Sequence, residues 1–412
     1  MKKVVLVLMI LFFGSYQGFS QNLQMNNRPK TPYLGWSSWN EFRVNIDEKM
    51  IREQADFMVS SGMAAAGYTY IGIDDGFQGG RDDYGNLLVD KKKFPSGMKS
   101  LADYIHLKGL KAGIYTDVGI NTCGSKHDKD TLAVGTGIFG HEQQDLDLMI
   151  NQWGYDIIKV DWCGAKWMDL NEQTRYTKIG NMMREMNPNV VFNICRWQFP
   201  GEWATNFADS WRISGDIEKD FKLILNIIDL NADLWKYASP GHVNDMDMLQ
   251  VGRGMTYDED KTHFSMWCMM DSPLLAGNDL RRISKETIEI LTNKEVIALN
   301  QDPLVYQARR LVKNGDLEVW AKPLIATMSG KVAVALMNRS DKKETISFKL
   351  NTVGIDNLKE YSMRDLWARK DFKPSKDEEV SFEVPAHGVV VLKIIGTMKP
   401  YNVFQFKDGY KN

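Results

Sequence analysis

Lys159, Asp161 and Cys163 occupy alternate positions directly after the apolar residues Tyr155, Ile157 and Ile158. A short apolar strand ending this way presents Asp161 at its carboxyl tip, which in a barrel of parallel strands is where chemistry is done. Taken alone, Asp161 could equally cap the following loop. Its company is more informative, because acids and aromatics end other apparent strands. Ile73-Asp74-Asp75-Gly76 sets two carboxylates side by side, which raises one pKa or calls for a cation or a hydrogen-bonding ligand. An exposed acidic loop is the plain alternative. A metal site is another reading, but the six His are scattered and no Cys/His cluster accompanies the pair. A sugar fits better, since carboxylates at fixed angles accept paired hydrogen bonds from neighbouring hydroxyls. Tyr115 and Asp117 end a third strand, with Tyr115 readable as pocket or core. Trp211 to Asp216 brings Arg212 and a further lone acid, Asp216, and the run 244–248 brings Asp247. Asp161 and Asp216 on two facing tips would form the carboxylate pair that glycoside hydrolysis needs.

The elements that must position these residues alternate between Pro32 and Pro303. The expected strands are Tyr33–Trp39, Tyr68–Ile73, Lys111–Thr116, Ile157–Val160, Val190–Ile194, Ser210–Ile213, Val243 with its neighbours, and Pro273–Ala276. Helical patterns separate them, among them Asp47–Ser61 with Asp47 as cap, Gly140–Trp153, Asp220–Tyr237 and Lys285–Leu299. Eight strands alternating with helices predict an α/β fold, a (β/α)8 TIM barrel over 31–304. After Pro303 the period changes to two, in Leu317–Ala321, Val332–Met337, Glu344–Leu350, Glu378–Val384 and Val389–Ile395. This predicts a C-terminal antiparallel β-sandwich domain over 305–396, without strand-tip acids, and a polar tail over 397–412.

The 412 residues, 43% hydrophobic and 25% charged, suit a globular chain of this size. A formal charge of −2 gives no bias towards nucleic acid or acidic membranes, so the partner is expected to be a small or neutral molecule. Residues 1–20, two lysines followed by an apolar run and small residues, have the layout of a signal peptide. Its removal takes the charge from −2 to −4. No Cys lies near the cleavage region and no later stretch is apolar enough to span a bilayer, so the product is expected to be secreted or periplasmic, without a membrane anchor. Some of Cys123, Cys163, Cys195 and Cys268 can then be paired.

TPYLGWSSWN (31–40), YIGIDDGF (70–77), KVDWC (159–163), WRISGD (211–216), NDMDML (244–249) and PLLAGNDLR (273–281), in this order, resemble glycoside hydrolase family 27, the α-galactosidase and α-N-acetylgalactosaminidase family. The resemblance implies a retaining mechanism without metal or organic cofactor, acting on galactose-terminated oligo- or polysaccharides. By position, Asp161 resembles the nucleophile and Asp216 the acid/base. Asp74 and Asp75 resemble the pair that holds the 4- and 6-hydroxyls, and Lys159 and Arg212 the groups that bind neighbouring ones. Trp39 and Tyr115 look like pocket walls and Asp247 like a further lining residue. Lys159 is expected to keep the nucleophile ionised and the acid to lie in a drier setting. Cys123 and Cys163 match a family disulfide, which leaves Cys195 and Cys268 reduced. One departure stands out: the family's usual Glu after the fifth-strand Cys is here Arg196. It either reaches the sugar or turns aside to an acid such as Glu202, and its size argues against an acetamido group at carbon 2. The rivals are an α-N-acetylgalactosaminidase or β-L-arabinopyranosidase on the same scaffold, a metal-dependent barrel hydrolase, and a non-catalytic sugar-binding protein.

Overall fold

The computed structural model describes residues 27–325, 330–372, 379–399 and 404. The expected leader lies outside them, as does most of the expected polar tail.

Eight short strands, β1 (Leu34–Ser37), β2 (Tyr70–Ile73), β3 (Lys111–Asp117), β4 (Ile157–Asp161), β5 (Val191–Ile194), β6 (Ser210–Arg212), β7 (Val243–Asp245) and β8 (Leu274–Ala276), pair in parallel in chain order, with β8 beside β1. The ring closes through a parallel bridge between Leu249, just past β7, and Ala276. This is the expected barrel. The outer face of the strands is apolar because helices cover it, and inside the barrel Tyr33, Tyr70, Ile157 and Val191 form a small apolar cluster away from the carboxyl ends. Asp47 caps helix Glu48–Ser60 by accepting from the Met50 amide at 2.8 Å, and Met50, Ile51, Gln54 and Met58 form its buried stripe.

Several boundaries differ from expectation, among them the expected helix Gly140–Trp153, which is an α-helix Glu142–Asp147 followed by a π-helix Leu148–Gln152. Trp39 does not end β1 but opens a one-turn helix, Trp39–Phe42. The segment Lys285–Leu299 is two helices, Lys285–Leu291 and Lys294–Asn300, because the Asn293 side chain accepts from the Glu295 and Val296 amides and starts a new helix. Helix Phe221–Asn231 stops before a separate 3-10 turn, Leu234–Tyr237.

Beyond the barrel, a six-stranded antiparallel sheet packs on a two-stranded one, Glu344–Lys349 with Glu379–Val384, around a core that includes Val319, Val334, Phe348 and Leu392. Trp320, Leu366 and Val391 extend the barrel's own core into this sheet. Across the same junction Lys322 pairs with Asp271, both fully buried, and donates to the Leu299 carbonyl at 2.9 Å.

Candidate active site

Side chains along a strand alternate between faces, so residues two apart point the same way. On β4, Ile158 and Val160 face the helices while Lys159 and Asp161 face inwards, and on β3 the same rule turns Tyr115 and Asp117 inwards. The register sets Tyr115 beside Lys159 and Asp117 beside Asp161. The carboxyl ends of the strands open into a cavity of about 360 Å³ lined by Trp39, Arg43, Asp74, Lys159, Asp161, Lys166, Trp197, Arg212, Asp216, Asp247 and Met248, with the Cys123–Cys163 disulfide on its edge. That size is in the range of small-molecule sites, about 300–1,000 Å³. Cys195 and Cys268 are free, buried thiols, as the resemblance implied.

The cavity is a network of carboxylates around two cations, the buried Arg212 and the half-buried Lys159. Lys159 Nζ donates to Asp74 Oδ2 at 2.8 Å and stands 3.8 Å from Asp161 Oδ2. Burial alone would lower the Lys159 pKa, but the charges of Asp74 and Asp161 outweigh it and keep the ammonium protonated. Asp161 accepts from the Trp162 amide at 2.9 Å. Burial pushes its carboxyl up to about 6, Lys159 pulling down and Asp216 adding to the rise. Opposite, Arg212 reaches Asp247 Oδ2 at 2.8 Å and Asp216 Oδ1 at 3.1 Å, and donates to the Gly215 carbonyl at 2.9 Å. Asp247 is held by the Ile217 and Met248 amides and adopts a positive φ of 76°, so its carboxylate is aimed by its own backbone. Burial pushes it to about 6 against the pull of Arg212.

The dryness of the two catalytic candidates is the reverse of expectation. Asp161 is buried, whereas the Asp216 side chain is 64% exposed. What burial Asp216 has would raise its pKa, but Arg212 and Lys159 hold it below the ordinary carboxylate range. The physical reason is that Asp216 follows β6 on the loop Ile213–Ile217 and faces the open mouth, whereas Asp161 is the last residue of its strand.

Three expected sugar contacts are not on the cavity wall. Asp75 is fully buried and accepts from the Gly76 amide at 3.0 Å and the Gly124 amide at 2.6 Å. Burial, with the neighbouring Asp74 charge adding, pushes it up to about 7. Its turn is possible because Gly76 has φ 115° and a Cβ there would meet the Val44 backbone at 2.7 Å. The adjacent carboxylates are thus separated in role: Asp74 has its cation, and Asp75 has two amides and an elevated pKa. Tyr115 is also buried, under Lys159, its hydroxyl accepting from the Cys123 amide at 3.0 Å. Arg196 turns away, but to Glu172 at 2.8 Å rather than Glu202, because Glu172 opens the helix that packs behind β4 and β5.

Sequence reasoning missed Arg43, Trp197 and Lys166 as lining residues. Arg43 stacks on Trp39 at 4.5 Å and pairs with Asp128, and only its closeness to the 31–40 motif could have signalled it. Trp197 directly follows Arg196 at the tip of β5, where an aromatic just past a strand end was readable as a wall residue. Among the described residues, one cluster, Asp117, Cys123, Asp161 and Cys163, has the spacing to hold a cation. Its sulfurs are joined in the disulfide and so are not free thiolates, leaving two carboxylates, which is a poor donor set for a transition metal.

The chain matches the family model described as alpha galactosidase A over residues 31–302 and that of the alpha galactosidase C-terminal beta sandwich domain over 314–394. It is 44% identical over 388 residues to alpha-galactosidase A of Cellvibrio japonicus, covering 89% of this chain and 92% of that one. It is 42% identical over 367 residues to alpha-galactosidase 2 of Arabidopsis thaliana, covering 88% and 89%. The crystal structure of alpha-galactosidase I from Mortierella vinacea superposes with a TM-score of 0.83 at 32% identity, covering 91% of this chain and 99% of that one. Along both its barrel and its C-terminal sheet domain, the chain belongs to glycoside hydrolase family 27, the α-galactosidase family.

Proposed function

We propose that this α-galactosidase removes terminal α-linked galactose from oligo- or polysaccharides with retention of configuration, Asp161 serving as nucleophile and Asp216 as acid/base. The observation that carries this reading is the meeting of both carboxylates in one cavity, each beside its own cation, Lys159 or Arg212. In the first step an Asp161 oxygen bonds to the anomeric carbon as the glycosidic C–O bond breaks, and Asp216 gives its proton to the departing oxygen. In the second, Asp216 takes a proton from water, which attacks the same carbon and releases Asp161.

The electrostatics suit this cycle. In the free enzyme the Asp161 charge opposes that of Asp216. A bound sugar covers the exposed Asp216 and dries it, which favours its protonated form for the first step. Once Asp161 is esterified its charge is gone, Asp216 is again held low by Arg212, and it is ready to act as base. Asp74, Lys159, Arg212 and Asp247 supply paired acceptors and donors for the ring hydroxyls, and Trp39 and Trp197 supply apolar walls.

Preference for galactose over N-acetylgalactosamine is supported by the tip of β5, where the bulky Trp197 lines the cavity. The apolar leader and the disulfide support a secreted or periplasmic product. No helix among the described residues is long and apolar enough to cross a membrane. Proton NMR of the first-formed sugar tests the mechanism: α-galactose is expected, and β-galactose as first product would overturn it.

A further inference from the structure

Just outside the cavity one side chain has no role in the fold. Trp167 leaves 78% of its surface in water. Tryptophan is normally among the most covered residues, and a ring left open in this way contributes little to a core. It is not isolated, however. The Lys166 ammonium lies 5.1 Å from the centre of the Trp167 ring and 5.8 Å from that of Trp197, and both Lys166 and Trp197 line the catalytic cavity. On the other side Lys126 stands 5.8 Å from the Trp167 ring, on the same short helix as Cys123 and His127, which also border the cavity. The aromatic surface therefore runs continuously from the cavity wall at Trp197, past Lys166, to Trp167.

This surface is also held rigidly. The loop that carries Trp167 begins at the disulfide Cys163, and its turn is closed by Ala165 and Lys166 amides donating to the Trp162 carbonyl at 3.1 and 3.0 Å. Gly164 lies so close to the preceding loop that an added Cβ would meet the Asn121 carbonyl oxygen at 1.9 Å. Backbone packed on backbone and tied by a covalent bond leaves Trp167 on a fixed platform, and a preorganised platform loses little freedom when a ligand stacks on it.

We infer that Trp167, with Lys166 and Lys126 beside it, forms a subsite for sugars on the leaving-group side of an α-galactosyl oligosaccharide, beyond the residue held against Trp197. Pyranose rings present flat C–H faces that stack on an indole, while their hydroxyls accept from the flanking ammonium groups. The inference rests on the reading of the cavity as the galactose site. It adds that the enzyme is built for a leaving group of several sugars rather than for a small aglycone.

The test compares kcat/KM for an aryl α-galactoside with that for neutral α-galactosyl oligosaccharides of two, three and four sugars, in the wild type and in Trp167→Ala and Trp167→Phe. The readout is the ratio of oligosaccharide to aryl rates. In Trp167→Ala that ratio should fall about three- to tenfold for the three- and four-sugar substrates, mainly through KM, and Trp167→Phe should keep most of it. A ratio that does not move in Trp167→Ala overturns the subsite. A wild type inactive on the aryl α-galactoside would instead overturn the reading of the cavity itself, so the two failures are separate.

Discussion

Replacing Lys159 by Met keeps most of the length of the side chain and removes the charge between Asp74 and Asp161. At the observed 3.8 Å, an ion pair in surroundings with an effective dielectric of about 20 is worth roughly 4 kcal/mol. Divided by 1.36 kcal/mol per unit, that would move the Asp161 pKa up by about three units. Asp74 loses its own partner at the same time, and water entering the space left by the ammonium solvates the remaining carboxylates and offsets part of the rise. A net shift of about one to two units is expected, carrying Asp161 from about 6 to between about 7 and 8. The nucleophile works only as the carboxylate, so activity rises with pH through this pKa, and a higher pKa moves the acid limb to higher pH. The limb of kcat/KM reports the free enzyme and is measured on an aryl α-galactoside. Loss of the Lys159 hydrogen bonds to the sugar lowers the plateau without moving the limb, so the two effects are read separately. An acid limb that stays in place, or moves to lower pH, would refute the assignment of Lys159 as the group that keeps Asp161 ionised.

Asp216→Asn should slow galactosides with poor leaving groups far more than those with good ones, because a good leaving group needs little protonation, and a series of aryl galactosides of graded acidity measures this. Reduction of Cys123–Cys163 should destabilise the fold. Closing a loop with a sequence separation of 40 is worth about 4 kcal/mol in the chain-entropy account, read as a lower thermal midpoint under reductant, and peptide mapping without reductant should show this pair with Cys195 and Cys268 free. Arg196→Ala should change kcat/KM on the galactoside less than about threefold, since it breaks a half-exposed ion pair with Glu172 away from the cavity wall, and steady-state kinetics decide it. Aryl α-galactoside should be preferred over the α-N-acetylgalactosaminide by about tenfold or more, and comparable rates would show the cavity open at carbon 2.

Much of the barrel was legible because its signal is local. Lys159 and Asp161, or Tyr115 and Asp117, sit two apart at the end of an apolar run, and that spacing alone turns both members of a pair to one face. What sequence could not show depends on residues distant in the chain. Arg196 chooses Glu172 over Glu202 because of how helix Glu172–Met186 packs, and Asp75 turns from the cavity because the amide of Gly124 waits 49 positions away. The relative dryness of Asp161 and Asp216 likewise depends on the cavity mouth, which no local pattern describes. In the second domain, strand Arg309–Asn314 escaped notice because it lies at the sheet edge, with its last three residues exposed and no apolar alternation to read. The hairpin Ser362–Asp365 with Lys370–Phe372 is short and polar for the same reason.

Trapping the covalent intermediate identifies the nucleophile directly. A fluorinated α-galactosyl substrate with a good leaving group forms the glycosyl-enzyme faster than water removes it, and proteolysis with mass spectrometry then locates the sugar. One added fluorogalactosyl group per chain is expected, on the peptide that contains Asp161, and none in Asp161→Asn. A label on Asp216, Asp74 or Asp247, or an unlabelled enzyme that releases β-galactose first, would contradict Asp161 as the nucleophile.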